Sequence, residues 1–387
     1  MAQRSAYIIA ARRTAVGRVG GLHGRRRIED LTAPVIATAL ADCRVNSAIV
    51  DGLILGNATE PSNPARLIAL AAGLSGRADA MTVDRQCAGG LDAIMIACRS
   101  IMAGDCDVMV AGGAEALSTA PWRIARPKNL HQMPRFIGYE PATSDTGDEP
   151  QYFEASERLA REYQLSRSAL DMVALASHRA AIEARQQRRF AGEIVPLKQA
   201  TEEARDELPR DLDDGDLEAL SPFSGNGPLT SGNTSPHADA AAIVVVVCSR
   251  IWSELGEPKA LRYVRGASLG VSTAKEAAAA ILATERLIEI EPRLDVGKLA
   301  AIETSETSSA QVLAFARRFG IETSDLNTAG GAVARGHPMA ASGAILAVRL
   351  FSDLVRQPKT GVMPGARGLA TLSAIGGLGS AALFEAT

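Results

Sequence analysis

The chain begins by alternating short apolar runs with apolar residues at helical spacing. Tyr7 to Ala10 is an apolar run of strand length, and Ile28 to Cys43 repeats its apolar residues with a helical period. Gly52 to Gly56 is again a strand. Asn63-Pro64 then supplies a capping residue and a first-turn proline for an alanine-rich helix that stops before Gly73. Ala80 to Val83 reads as strand, Ala88 to Met102 as helix and Asp107 to Ala111 as strand. Strands separated by helices in this way are expected to run parallel, because each helix carries the chain back across the sheet.

Between about Leu117 and Pro236 the pattern is lost. Proline, glycine and charge dominate Pro121 to Pro150, two charged helices follow (Phe153 to Tyr163 and Ser166 to Arg189), and an acidic loop runs from Glu202 to Glu218. The expected organisation is a first unit over 1–116, completed by 237–250, an inserted and surface-rich unit over 117–236, and a last unit over 251–387. In the last unit the strand and helix alternation returns, with helices expected at Thr273 to Ile290, Ser308 to Phe319 and Pro338 to Leu354. The outer units echo each other. Cys87-Ala-Gly-Gly and His337-Pro-Met-Ala-Ala-Ser-Gly each open a small-residue helix, and each helix leads to a strand that ends in glycines. The echo is either chance or duplication. A duplicated half would set Cys87 and His337 at equivalent helix N-termini, facing each other across a pseudo-two-fold axis.

Composition narrows the classes. The 387 residues include 41 basic and 44 acidic side chains, a net charge of −3, which leaves no basic footprint for nucleic acid. No apolar run approaches the ~20 residues of a membrane span; the longest, Ala238 to Cys248, contains Asp239. The start, with two arginines soon after its apolar stretch, reads as a first strand and not as a secretory signal. Aromatics make up only 4% against 35 glycines, so the core must form by close approach of backbones. Five cysteines without metal-ligand spacing point to a reducing, cytoplasmic setting and to no metal site.

Two residues carry candidate chemistry. Cys87, in Asp-Arg-Gln-Cys-Ala-Gly-Gly-Leu, stands at a strand-to-helix junction, where the positive end of the helix dipole is expected to lower its pKa from about 8.5. The glycines after it clear room for a substrate and for backbone N–H groups facing an oxyanion. His337 precedes a proline expected to start a helix, which would fix its imidazole as a base for a thiol. Each alone has an ordinary structural reading. Their occurrence together favours a Cys-His pair.

With these motifs the chain resembles the thiolases, the acetyl-CoA C-acyltransferase family, over nearly its whole length. The matching stretches are Ala11-Arg-Arg-Thr-Ala-Val-Gly, the Cys87 segment, Ala111-Gly-Gly-Ala-Glu-Ala-Leu-Ser, Thr230-Ser-Gly-Asn-Thr-Ser with Asp239, Gly336-His-Pro, and Gly368-Leu-Ala-Thr-Leu-Ser-Ala-Ile-Gly-Gly-Leu-Gly. The resemblance implies two similar βαβαβαββ halves in a five-layered α/β/α/β/α sandwich, with an inserted loop domain over the site. It implies that Cys87 is acylated by an acyl-CoA thioester after activation by His337, with the backbone N–H groups of Cys87 and Ile375 as an oxyanion hole. No bound cofactor is implied; the coenzyme A thioester is the substrate. Ser235 and Ser231 fall on a turn that contacts the pantetheine arm, and Arg210 is a candidate for the CoA phosphates. Family members are homodimers or homotetramers.

The chain departs from the family in three places. The family's second catalytic cysteine is replaced by Ser373, and an alcohol, with a pKa nearer the ~15.7 of water, is a poor base for an α-carbon. Where the family carries Asn-Glu-Ala-Phe, Ser305 stands at the water-holding asparagine and Ser308 at the phenylalanine; Gln151-Tyr152 replaces His-Met in the pantetheine loop. Three readings follow: a Claisen or retro-Claisen thiolase, a Cys-His acyltransferase without an α-carbon base (decarboxylative condensation, or transfer to oxygen, nitrogen or water), and a thiolase-like protein that binds CoA or a partner without turnover.

Overall fold

The computed structural model describes residues 4–127, 129, 131–137, 153–197, 205–358 and 362–387. The chain runs through β1 (Ala6–Arg13), β2 (Gly17–Arg18), α1 (Ile28–Asp42), β3 (Gly52–Gly56), α2 (Pro64–Ala71), β4 (Asp79–Val83), α3 (Gly89–Ala103) and β5 (Val108–Glu115). A small hairpin, β6 (Arg123–Ala125) and β7 (Arg135–Ile137), precedes helices α4 (Glu154–Glu162), α5 (Arg167–Gln186) and α6 (Asp214–Glu218). Then come β8 (Ala238–Cys248), α7 (Ser249–Glu254), β9 (Leu261–Gly270), α8 (Ala279–Ile290), β10 (Ala301–Thr304) and α9 (Ser309–Phe319). The chain closes with α10 (Ala332–Arg335), α11 (Ala341–Phe351), β11 (Arg367–Ala374) and β12 (Leu378–Ala386).

The strands lie in the order β10-β11-β12-β9-β1-β8-β5-β3-β4. The β-branched run of β8 is buried along its whole length, as a central strand covered on both faces must be. It enters antiparallel between β1 and β5, so the parallel arrangement expected from the pattern holds only for β3 with β4 and β5, and for β10 with β11. The two sets of strands meet through a short pairing, Tyr7 with Arg262 and Ile8 with Leu261. Helices α1 and α2 cover one set and α8 covers the other, while α3 and α11 pack on each other and on strands of both sets. These are the five layers of the expected sandwich. In the second set, the counterpart of β4 is reduced to a single bridge between Leu326 and Ile302.

The middle layer depends on missing side chains. A Cβ on Gly90 of α3 would lie 2.4 Å from the Ala340 carbonyl oxygen, and one on Gly113 of β5 would lie 2.3 Å from it. Instead the Gly90 N–H donates to that carbonyl at 3.0 Å. This contact draws the starts of α3 and α11 together.

Several helix ends differ from expectation. Asn63 holds the N-cap position of α2, but its side chain turns to β4, donating to Ala80 O and accepting from Thr82 Oγ1. The helix expected from Thr273 begins as a 3-10 segment, Thr273–Ala278, before α8. Pro338 does not start α11: Met339 adopts a left-handed φ of 37°, and the helix begins only at Ala341.

A buried ionic network ties the 117–236 stretch to the rest. Glu193 accepts from Arg13 Nε at 2.6 Å, from Ser352 Oγ at 2.7 Å and from Arg349 Nη1, and all three side chains are buried. Arg13 also makes a two-point contact with Asp206, at 2.6 and 3.0 Å. The two guanidiniums stack over the Phe190 ring, 5.2 and 5.3 Å from its centroid.

Candidate active site

After β4 the chain turns sharply at Gln86, whose φ of 52° is left-handed, and Gln86–Ala88 forms a single 3-10 turn ahead of α3. The Asp84 carboxylate holds this turn by accepting from the Gln86 N–H at 3.1 Å. Cys87 is thereby buried at the foot of α3. On the other side, Gly336 (φ 97°) and Met339 bracket His337, whose N–H donates to Pro236 O at 2.8 Å. Two strained turns from distant parts of the chain thus fix one side chain each.

The two side chains meet. His337 Nε2 lies 3.0 Å from Cys87 Sγ, and His337 Nδ1 lies 2.9 Å from Ser342 Oγ. In the tautomer suited to a base, Nδ1–H donates to Ser342 and Nε2 faces the thiol.

The expected lowering of the Cys87 pKa is not what the structure gives. Burial pushes the thiol up to about 12; the Ile375 N–H and the residue's own N–H favour the thiolate, while the Glu115 and Glu276 carboxylates oppose it. Loss of hydration outweighs the two N–H contacts that favour the thiolate. Burial, with His237 nearby, pushes His337 down to about 3. The resting pair is therefore a neutral thiol and a neutral imidazole.

A pH dependence follows. Only thiolate alkylates, so a thiol held near 12 gains thiolate about tenfold per pH unit below that value. Iodoacetamide labelling of Cys87, read by peptide mapping, is expected to climb from pH 7 to 10 without levelling. A plateau near 8.5 would contradict the burial argument.

A small cavity of about 20 Å³ opens beside the sulfur, lined by Cys87, Ser156, Glu276, Gln311, Ser373 and Ile375 among others. The 117–236 stretch contributes Ala155 and Ser156 to it. Ser373 is there, but its hydroxyl is engaged: Oγ accepts from the Ala280 N–H at 2.9 Å and donates to Ala277 O at 3.2 Å. Ser305 sits beside it, with Oγ accepting from the Ser373 N–H at 3.2 Å and reaching Gln311 Oε1 at 3.4 Å. Gln311 Oε1 also accepts from Thr307 N and Oγ1, at 3.1 and 2.7 Å. Ser308, buried at the N-cap of α9, pairs with Thr234. A wider cleft of about 690 Å³ begins at Gln86, Met339 and Ile375 and runs out past Leu117, Trp122 and Phe136.

The remaining expected residues are less closely placed. Ser235 is buried with its Oγ unpartnered among the described residues, and its N–H donates at 2.9 Å to the carbonyl of Thr307, a cavity residue. Ser231 and Arg210 are exposed and do not line the cavity; the Arg210 N–H donates to His178 Nδ1 at 3.0 Å. Gln151-Tyr152 lies outside the described residues. Sequence reasoning missed Glu276, Gln311 and Ser342 as site residues. The one available signal for Glu276 was a carboxylate in an alanine run, which reads as ordinary helix surface.

The chain matches the family models "Thiolase, N-terminal domain" over residues 6–250 and "Thiolase, C-terminal domain" over 258–386. Proteins named putative acetyl-CoA C-acetyltransferase VraB are similar along their whole length. The one from Staphylococcus epidermidis is 33% identical, over 98% of this chain and 97% of its own. The one from Staphylococcus aureus is 31% identical, over 98% of each chain. Among solved structures, the Bacillus anthracis acetyl-CoA acetyltransferase superposes with a TM-score of 0.90 at 30% identity, covering 100% of this chain and 99% of that one. Full-length agreement in sequence and in fold, around a buried Cys-His pair, establishes that the chain belongs to the thiolase family of acyltransferases.

Proposed function

We propose that the protein takes an acyl group from an acyl-CoA onto Cys87 and exchanges it with the α-carbon of a second CoA thioester, in the Claisen or retro-Claisen direction. The carrying observation is the 3.0 Å contact between Cys87 Sγ and His337 Nε2. In this reading His337 takes the thiol proton as the sulfur attacks the thioester and returns it to the departing CoA thiolate. The Cys87 and Ile375 N–H groups, which act on the sulfur, would receive the oxyanion of the tetrahedral intermediate. The 690 Å³ cleft beside Ile375 is of a size for an acyl chain or pantetheine arm. Ser235 and Ser231 are read as pantetheine contacts and Arg210 as a phosphate contact. A homo-oligomer in a reducing compartment completes the reading, with all five cysteines free.

A second reading is favoured by one observation. Ser373, read here as standing in for the family's second cysteine, already donates its proton to Ala277 O. An acyltransferase without an α-carbon base would then serve decarboxylative condensation or transfer to oxygen, nitrogen or water.

One assay separates the two. With a 3-ketoacyl-CoA and free CoA, the first reading predicts acetyl-CoA and an acyl-CoA two carbons shorter. His337→Ala should lower that turnover ~10²–10⁴-fold, the usual range for losing a positioned base. Release of free acid without carbon–carbon cleavage would favour the second reading.

A further inference from the structure

The cavity at Cys87 holds a carboxylate that the family resemblance does not account for. Glu276 sits on the 3-10 segment Thr273–Ala278 and lines this cavity with Cys87, Ser373, Gln311 and Ile375. It is anchored on the glycine turn between β11 and β12, where its Oε2 accepts from the Gly376 N–H at 3.1 Å and the Gly377 N–H adds a second contact. Those glycines have φ of 88° and 70°, and they directly follow Ile375, whose N–H acts on the Cys87 sulfur. One turn therefore fixes both the carboxylate and the amide. The side chain is only half-buried, so it stays open to the cavity. The same 3-10 segment occupies the Ser373 hydroxyl through Ala277 O, and the Ala280 N–H just beyond it completes the hold. Position 373 thus offers an alcohol whose proton is committed, and position 276 places a carboxylate-bearing residue on the lining of the same cavity.

We propose that Glu276 is the catalytic acid/base for the α-carbon, in place of a second thiol. This rests on the Cys87 acyl-transfer reading above. In the condensing direction the Glu276 carboxylate takes a proton from the α-carbon of the second CoA thioester. The resulting enolate attacks the carbonyl carbon of acyl-Cys87, the new carbon–carbon bond forms and the carbon–sulfur bond to Cys87 breaks. The proton held on Glu276 then passes to the departing Cys87 thiolate, which restores the thiol and the carboxylate. Burial raises the Glu276 pKa above the ordinary carboxylate value, while the Gly376 and Gly377 N–H groups and Arg158 oppose the rise. The rise makes the carboxylate a stronger base.

The test separates acylation from carbon chemistry. The full-length protein and its Glu276→Gln and Glu276→Asp variants are incubated with acetyl-CoA in D₂O. Cys87 acetylation is read by intact mass, and deuterium entering the acetyl methyl of CoA thioester by mass spectrometry. The expected result is Cys87 acetylation in all three proteins, with exchange and condensation falling 100-fold or more in Glu276→Gln and partly retained in Glu276→Asp. Exchange at the parental rate in Glu276→Gln, or a parent that acetylates but neither exchanges nor condenses, would overturn the proposal. Loss of acetylation in both variants would also overturn it, because it would mark Glu276 as a structural staple of the turn. A parent protein that never acetylates would instead sink the acyl-transfer reading on which the proposal stands.

Discussion

Replacing Cys87 with alanine is expected to abolish acyl transfer, lowering turnover by ~10⁴-fold or more, as loss of a covalent nucleophile does elsewhere. Cys87→Ser is expected to be nearly as inactive. The buried thiol is already at about 12 and the imidazole beside it at about 3, so the pair works only because sulfur gives up its proton more readily than oxygen. An alcohol begins several units higher, and the same imidazole cannot bridge that gap. Both variants should fold, because the side chains removed or exchanged are small and the turn is held from Asp84 and Gly90. Steady-state turnover, with circular dichroism as a fold control, checks the pair. Cys87→Ser within tenfold of the parent would contradict a thiol-specific role.

The second large effect lies away from the chemistry. Glu193→Ala removes the carboxylate shared by Arg13 and Arg349, leaving Arg13 with Asp206 and Arg349 with Asp353, and the two buried guanidiniums without the anion between them. Breaking a buried pair from one side costs about 3–5 kcal/mol, because the remaining charges stay desolvated. Burial alone would raise the Glu193 carboxyl, but the Arg349 and Arg13 guanidiniums outweigh it and hold it at about 2. A depressed folded-state pKa gives stability above the unfolded value of about 4.3 that is lost as pH falls towards 2. Glu193→Ala should therefore lose most at neutral pH and least near pH 2. Urea unfolding at both pH values measures this. A neutral-pH loss below about 1 kcal/mol would mean the network contributes little.

How much the sequence revealed depended on how far each signal reached along the chain. Gly52–Gly56 is a strand to the residue because its apolar run is bounded by glycines. The ends at Thr273 and Pro338 were misjudged because tertiary contacts set them: the 3-10 segment is pinned by Ser373 and Glu276, and the turn at Met339 by the seating of His337 against Pro236. β8 is an antiparallel partner of two strands more than 100 residues away, which no local pattern records. At the site, Cys87 and His337 were legible because each interrupts a small-residue motif at a helix entry. The direction of the Cys87 pKa shift was not, because the dipole is local and the burial that overrides it comes from the whole middle layer. Glu276 was invisible for the same reason: only the β11–β12 turn, 100 residues later, holds this helix-like glutamate at the cavity that also contains the thiol.

The role proposed for Cys87 is to carry the acyl group. Intact-mass spectrometry of the protein after incubation with a panel of acyl-CoAs, followed by peptide mapping at acid pH, tests it most directly. A mass increase of one acyl group is expected with at least one donor, mapped to the peptide holding Cys87, removed by free CoA and absent in Cys87→Ala. Absence of an adduct with every donor, or an adduct that persists in Cys87→Ala, would contradict it.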